Sequence, residues 1–364
     1  MRIDLVITEL DMGGAEKCCT ELAIDLKQRG NDVRVIAFGP RPMPPRDQLA
    51  KLLVIHSVET HFLGATGSWM LPSVMWGFRK LLKTNSPDLV QSFLWHANVL
   101  SAAIVPSFQI PLVGGVRVAE PKKSRHAIGG WAAKRMNRIV CVSQSVADWS
   151  IRREGVEPQK IVVIPNGVQL HVPETSFVSP LPNAVRILLF VGRLEPQKGI
   201  DILIEHAPDL LSKLPEHHLV ILGDGAWRDA VSQLALRSDV QNRVHWLGQR
   251  DDVRDWMRRS ELLILPTRYE GMPNVILEAM AERLAVVTTR VEGIDELLAD
   301  ALADQAVAPG DWTTFFERAR MLALDAQVRR KFGEANRLRV EQQFSLSQQL
   351  AKYHTLYEGL LRGS

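Results

Sequence analysis

Short apolar runs alternate with amphipathic stretches along most of this chain, and the alternation breaks off once and then restarts. In the first half, Ile3–Thr8, Asp32–Phe38, Leu52–His56, Leu89–Phe93, Leu112–Val116, Arg138–Val142 and Ile161–Ile164 read as strands. Helices are expected between them over Ala15–Arg29, Leu71–Lys83, Ala97–Val105, His126–Met136 and Ser145–Arg153. Strands of this kind, separated by helical pattern, imply a parallel sheet covered on both faces. Pro173, Pro180 and Pro182 interrupt the pattern within His171–Asn183, the expected linker. Strands then resume at Arg186–Val191, Leu219–Leu222, Arg243–Trp246, Leu262–Leu265, Ala285–Thr288 and Gln305–Val307. The intervening helices are expected at Ile200–Lys213, Trp227–Ser238, Asp251–Arg258, Pro273–Glu282 and Ile294–Ala299, and Thr313–Leu361 is helical throughout. A chain of 364 residues can fill two cores. The expectation is an α/β protein of two doubly wound domains, with ligands bound in a cleft.

Composition narrows the function. A hydrophobic fraction of 46% and a charged fraction of 23% are those of a soluble globular protein. Cys18, Cys19 and Cys141 show neither metal spacing nor a disulfide framework, which suits reduced thiols in a cytoplasmic protein. Asp4, Glu9 and Asp11 break the opening apolar run, so no secretory signal is expected. Gln91, His96, Asn98, Pro106, Gln109 and Pro111 break up the uncharged stretch Leu89–Val116, so no membrane span is expected there either. Charge is uneven: between Thr60 and Ala147, ten basic residues face two acidic ones, Asp88 and Glu120. Such a region attracts an anionic partner or a membrane surface, or is merely a solvated face. No nucleic-acid partner is expected.

The most informative stretch is Arg268-Tyr269-Glu270-Gly271-Met272-Pro273-Asn274-Val275-Ile276-Leu277-Glu278-Ala279-Met280-Ala281. Gly271 allows a tight turn, and Pro273 suits the first position of a helix. The amides of Met272, Asn274 and Val275 would then point out of the helix start, where an anion binds. Glu270 precedes that start, and Glu278 lies about 12 Å along the axis at ~1.5 Å per residue. One carboxylate can reach a sugar while the other holds a ribose, with phosphates between. Upstream, in Val191-Gly192-Arg193-Leu194-Glu195-Pro196-Gln197-Lys198-Gly199, Arg193 supplies a planar fork and Lys198 a compact charge. Together they can neutralise a diphosphate. Gly13-Gly14-Ala15-Glu16, after the first strand, permits close approach of backbone to a ligand.

These elements resemble retaining glycosyltransferases of the GT-B fold, family 4. Glu270 and Glu278 match the family's E-x7-E, Gly192 to Gly199 its G-R-x4-K-G, and Gly13 to Glu16 its Gly-Gly-x-Glu. The resemblance implies an N-terminal Rossmann-like acceptor domain over residues 1–172 and a nucleotide-sugar domain over 184–344, facing each other across a cleft. It also implies a C-terminal helix over 345–364 that crosses back onto the first domain. By the same resemblance, Arg193, Lys198, Glu270 and His96 carry the chemistry. Gly14, Gly271, Met272, Pro273, Asn274, Val275 and Glu278 surround the donor, with Arg250 and Val253 near the base. Glu16, Arg117 and Glu120 are acceptor-side candidates. Gly223-Asp224-Gly225 lacks the third glycine of a dinucleotide fingerprint, and Glu292 replaces a glycine usual before Gly293. No Asp-x-Asp pair occurs, so neither a metal nor another cofactor is expected.

The implied reaction moves a sugar, with retention, from a nucleotide diphosphate (UDP first, GDP second) to an acceptor hydroxyl on a glycan or lipid-linked molecule. Lys122, Lys123, Arg125, Lys134, Arg135 and Arg138 around Trp131 suggest an anionic membrane surface. That would make it a cytoplasmic enzyme, peripheral on the inner face of the membrane, in cell-surface polysaccharide or glycolipid assembly. The competing readings are a nucleotide-sugar epimerase or hydrolase of the same fold, and a non-catalytic sugar-nucleotide binding protein.

Overall fold

The computed structural model describes the whole chain except residues 45, 68–69, 120–121, 172–176, 183, 241, 300–303 and 363–364. The chain divides into two compact units: Met1–Asn166 together with Gln349–Ser364, and Gly167–Gln348.

Unit 1 contains β1 (Arg2–Ile7), α1 (Gly14–Gln28), β2 (Asp32–Ala37), α2 (Gln48–Ile55), β3 (Glu59–Phe62), α3 (Leu71–Thr84) and β4 (Leu89–Phe93). It continues with α4 (Trp95–Ile104), β5 (Leu112–Val116), α5 (Lys123–Lys134), β6 (Arg138–Cys141), α6 (Gln144–Glu154) and β7 (Ile161–Val163). The seven strands form one sheet in the order β3-β2-β1-β4-β5-β6-β7, every pairing parallel. Its centre is apolar, with Leu5, Val6, Val35, Ile36, Val90 and Phe93 fully buried. Asp4, the charge within the apolar run of β1, sits opposite Arg34 in the β1–β2 register. The two buried side chains form a bidentate pair at 2.8 and 2.7 Å, which satisfies both charges inside the sheet.

Unit 2 contains β8 (Arg186–Val191), α7 (Ile200–Ser212), β9 (His217–Leu222), α8 (Arg228–Leu236), β10 (Val244–Trp246), α9 (Val253–Arg259) and β11 (Leu262–Leu265). Then follow α10 (Asn274–Ala281), β12 (Ala285–Thr289), α11 (Ile294–Leu298), β13 (Ala306–Val307), α12 (Trp312–Leu324) and α13 (Ala326–Gln343). Its parallel sheet has the order β10-β9-β8-β11-β12-β13. A last helix, α14 (Leu346–Arg362), belongs to unit 1 from Gln349 onward. There Tyr353 and Tyr357 are buried, Gln349 donates to Cys18 Sγ at 3.3 Å, and Tyr357 donates to Gln91 Oε1 at 3.2 Å.

Two expectations need correction. Leu52–His56 is not a strand; it lies in and just after α2, whose buried residues Leu49, Ala50 and Leu53 follow helical spacing. The third strand is instead Glu59–Phe62, an edge strand with no fully buried residue and hence no apolar signature. Pro273 is not the first helical residue but the cap, extended at ψ 116°, and α10 starts at Asn274. Leu89–Val116 resolves into β4, α4 and β5, and no helix among the described residues is long and apolar enough to cross a membrane.

Candidate active site

In unit 2 the chain leaves β8 towards β9 and leaves the neighbouring β11 towards β12, in opposite directions. The loops after these two strands therefore diverge, leaving a crevice at the strands' carboxyl ends where open α/β sheets bind ligands. Arg193 and Lys198 lie on the first loop, and Glu270, Gly271, Met272 and Pro273 on the second.

The first loop is held from beneath by backbone: Gly192 donates to Leu222 O at 3.0 Å and Leu194 to Asp224 O at 2.9 Å. Gly223, in the turn that resembles half a dinucleotide fingerprint, serves this packing. A Cβ on it would stand 1.9 Å from Gly192 O. Pro196–Lys198 make one tight turn, and Gly199 then opens α7 at φ 72°. A Cβ at Gly199 would meet Pro266 O at 1.9 Å, so glycine alone lets the first loop lie against the start of the second.

Side chains then join the loops. Lys198 Nζ donates to Glu270 Oε1 at 2.5 Å, with both side chains largely buried. The Thr267 hydroxyl donates 2.9 Å to the same oxygen and also lies 2.9 Å from Gln197 O. Gln197 Nε2 reaches Tyr269 O at 3.2 Å, and its Oε1 accepts from Arg193 Nη2 at 2.8 Å. Arg268 clamps Asp201 through two contacts of 2.7 Å, and this bond holds the Asp201 carboxyl below the usual carboxylate range. Arg193, Lys198 and Glu270, far apart in sequence, are thus one connected group. Gln197, Thr267 and the Arg268–Asp201 pair, which connect and brace it, were not anticipated.

Asn274 and Val275 occupy the first turn of α10, whose amides precede the intrahelical ladder, and Glu278 is half-buried further along the same helix. Despite the Glu292 replacement, the following turn supports this region: Gly293 at φ 78° packs so closely that a Cβ would stand 2.0 Å from Gly271 O. Val253 is the first residue of α9. Arg250 is not an open cation, because its guanidinium grips Asp252 at 2.9 and 2.5 Å and the bond raises its pKa.

Unit 1 has its own switch point, between β1 and β4. Gly14 and Glu16 follow β1, and His96 follows β4. Glu16 folds back over the start of α1, and a Cβ on Gly13 would come within 2.1 Å of its carboxylate. His96 is exposed in the first turn of α4, edge-on to Trp95 at 5.0 Å. Leu94 just before it adopts φ 71° and ψ 158°, a region nearly reserved for glycine and costing about 1–3 kcal/mol. Asn98 secures this turn, donating to Gly115 O at 2.9 Å and accepting from Ser92 Oγ at 2.7 Å. Arg117 donates to Asn166; burial works against its charge, but Cys18, Tyr353 and Glu16 face it and raise its pKa. Beside it a cavity of about 60 Å³ is lined by Leu94, Trp95, Val116, Met136 and Trp149. Glu120 lies outside the described residues.

Two parallel doubly wound sheets, each with functional candidates at its switch point, define an α/β protein of the GT-B class. The chain matches the family model Glyco_transf_4, Glycosyltransferase Family 4, over residues 12–172, and Glycos_transf_1, Glycosyl transferases group 1, over residues 172–339. It belongs to glycosyltransferase family 4.

Among relatives, the UDP-Gal:alpha-D-GlcNAc-diphosphoundecaprenol alpha-1,3-galactosyltransferase of Escherichia coli is 28% identical over 225 residues. That match spans 56% of this chain and 58% of the relative. The lipopolysaccharide core biosynthesis glycosyltransferase LpsE of Rhizobium meliloti is 26% identical over 340 residues, 92% of each chain. In three dimensions the chain is similar to Anabaena Alr3699/HepE in complex with UDP and glucose, with TM-score 0.84 and 20% identity over 99% of this chain and 100% of that one.

Proposed function

We propose that this protein is a retaining glycosyltransferase that moves a sugar from a nucleotide diphosphate to an acceptor hydroxyl without a metal. The observation that carries the reading is the convergence of Arg193, Lys198, Glu270 and the start of α10 at one switch point of unit 2. In the transition state positive charge grows on the anomeric carbon and negative charge on the departing phosphate. A guanidinium, an ammonium and helix-start amides, already aimed, stabilise that leaving group without reorganising. Glu270 orients the donor hydroxyls and Glu278 holds the ribose. Lys198 already sits against Glu270, so it can serve sugar and phosphate from one position. Gly14, Glu16, His96 and Arg117 contribute on the acceptor side. His96 is the strongest of these, because the strained Leu94 turn delivers it to solvent.

UDP is the favoured carrier, supported by the UDP-Gal named for the Escherichia coli relative and by the complex in which the Anabaena neighbour was solved. The same relative's diphosphoundecaprenol acceptor and the role of LpsE favour a glycan or lipid-linked acceptor in cell-surface assembly, at the inner face of the membrane. A panel of nucleotide sugars tested first by thermal shift and then for transfer decides the matter. The expected outcome is stabilisation by UDP-sugars and sugar transfer that excess chelator leaves unchanged. Stabilisation with neither transfer nor hydrolysis would mark a binding protein. A strict divalent-metal requirement would remove the role given to the cation pair.

A further inference from the structure

Helices α3, α4 and α5 are consecutive neighbours in unit 1, α3 packing on α4 and α4 on α5. Their outward sides have an unusual composition. On α3 the exposed Trp76, Arg79, Lys80 and Lys83 are spaced as one helical face and Leu71 is exposed where the helix begins, while Val74, Phe78 and Leu82 point to the core. On α5 the exposed stripe is Ile128, Trp131, Lys134 and Arg135, opposite buried Ala132 and Ala133. Neither helix, nor α4 between them, contains a single Asp or Glu.

The two tryptophans are placed alike. Trp76 is 68% exposed with Lys80 Nζ 5.3 Å from its ring, and Trp131 is 37% exposed with the Arg135 guanidinium 4.2 Å from its ring. Large exposed aromatics beneath cations are out of place on a face that only meets water, where a charged side chain alone suffices. Among the described residues, Arg79, Lys80, Lys83, Lys134 and Arg135 take part in no ion pair. Of the acids beside these helices among the described residues, Asp88 accepts from Arg2 N at 2.7 Å, Asp148 accepts from Gln144 at 2.8 Å, and the Glu154 carboxylate lies against Gly129 of α5. Between α3 and the turn after α4, Trp76, Arg79, Lys80, Lys83, Ser107 and Phe108 line an open depression of about 620 Å³.

We infer that the α3–α5 face is a docking surface for an anionic phospholipid bilayer. This deepens the membrane part of the function proposed above and rests on that part alone. Lys and Arg supply attraction to the leaflet, Trp76 and Trp131 enter the headgroup layer, and Leu71 and Ile128 add apolar area. The depression beside α3 receives a lipid headgroup, its phosphate set among Arg79, Lys80 and Lys83. Sequence pattern pointed only to the helix around Trp131; the structure adds α3, which packs on α4 as α4 packs on α5.

Flotation of the full chain with vesicles, in the absence of any donor, tests the inference. Vesicles of phosphatidylcholine with about a third phosphatidylglycerol should carry the wild type at low salt, and pure phosphatidylcholine should not. Arg79→Gln, Lys80→Gln and Lys83→Gln combined should lower partition on the order of a hundredfold. Trp76→Ala should weaken it by roughly tenfold while leaving its salt dependence in place. All four positions are exposed, and an unchanged melting temperature and circular dichroism spectrum verify that the variants are folded. Absence of wild-type flotation with the anionic vesicles, equal flotation with both compositions, or wild-type behaviour of the triple variant would each overturn the inference. Retention on a soluble polyanion such as heparin without vesicle binding would overturn it too, in favour of a different partner. Since no donor enters the assay, its failure leaves the unit 2 site untouched.

Discussion

Replacing Lys198 with methionine should unsettle unit 2 as well as stop transfer, and the two effects can be separated. The ammonium stands 2.5 Å from Glu270 Oε1, with the side chains 15% and 8% exposed. Without it, Glu270 keeps the Thr267 hydroxyl, 2.9 Å away, but no counter-charge at that oxygen. Removing one partner of a buried pair costs about 3–5 kcal/mol, because a charge is left uncompensated in a poorly solvated place. Some solvent reaches this pair, so the lower end, ~3 kcal/mol, is expected. Adding Glu270→Gln removes the stranded charge and should restore most of that loss, about 2 kcal/mol relative to the single variant. A protein of two units has no single unfolding free energy, so the readout is hydrogen exchange of the β8 and β11 amides, which reports local opening. Transfer should behave oppositely: the double variant stays as inactive as the single one. If the double variant opens as easily as Lys198→Met, the buried-pair reasoning fails. If it transfers sugar at nearly the wild-type rate, the leaving-group role fails.

Further outcomes are expected for two glycines and for a histidine pair. Gly199→Ala should lower the melting temperature and abolish donor binding, since φ 72° is compounded by the approach of Pro266 O to 1.9 Å. Gly310→Ala, at φ 87° with nothing within 4 Å, should cost only the ~1–2 kcal/mol of its conformation. On the edge of the unit 2 sheet, His218 Nδ1 and His245 Nε2 lie 2.8 Å apart. Burial lowers both pKa values, and for His218 the neighbouring His245 lowers it further. The folded state therefore binds fewer protons than the unfolded one. This contribution to stability is full above the unfolded value near pH ~6.5 and is lost as pH falls through the folded values. A melting temperature that declines from pH 7.5 to 5, and declines less in His245→Gln, is the expected result; equal slopes would refute it.

The doubly wound plan was readable because strands covered on both faces are almost wholly apolar, as in Leu262–Leu265 and Arg186–Val191. Where burial is partial the signal fades. Glu59–Phe62 lies at a sheet edge and is polar, so the apolar run before it attracted the strand assignment instead. At the site, charged residues after strands stood out, and Arg193, Lys198 and Glu270 do meet. Thr267 and Gln197 did not stand out, because a neutral side chain in a loop has no periodicity and its partner lies some seventy residues away in sequence. Arg250 looked available, but which acid a guanidinium grips depends on rotamers that sequence does not encode. The outward face of α3 reads in sequence as an ordinary solvated face, and only packing places that helix beside α4.

The return of the chain from Gly167–Gln348 to complete the first unit has a bearing on its birth. Residues 1–166 leave the ribosome early, yet Gln349, Tyr353 and Tyr357 follow only after all of the second unit has been made, a delay of roughly 10–40 s at typical synthesis rates. Throughout that interval the nascent first unit keeps bare the surface around Cys18 and Gln91 that α14 later covers. A stalled or shortened translation product would therefore expose thiol and apolar surface together, and become a substrate for chaperones rather than a half-working enzyme.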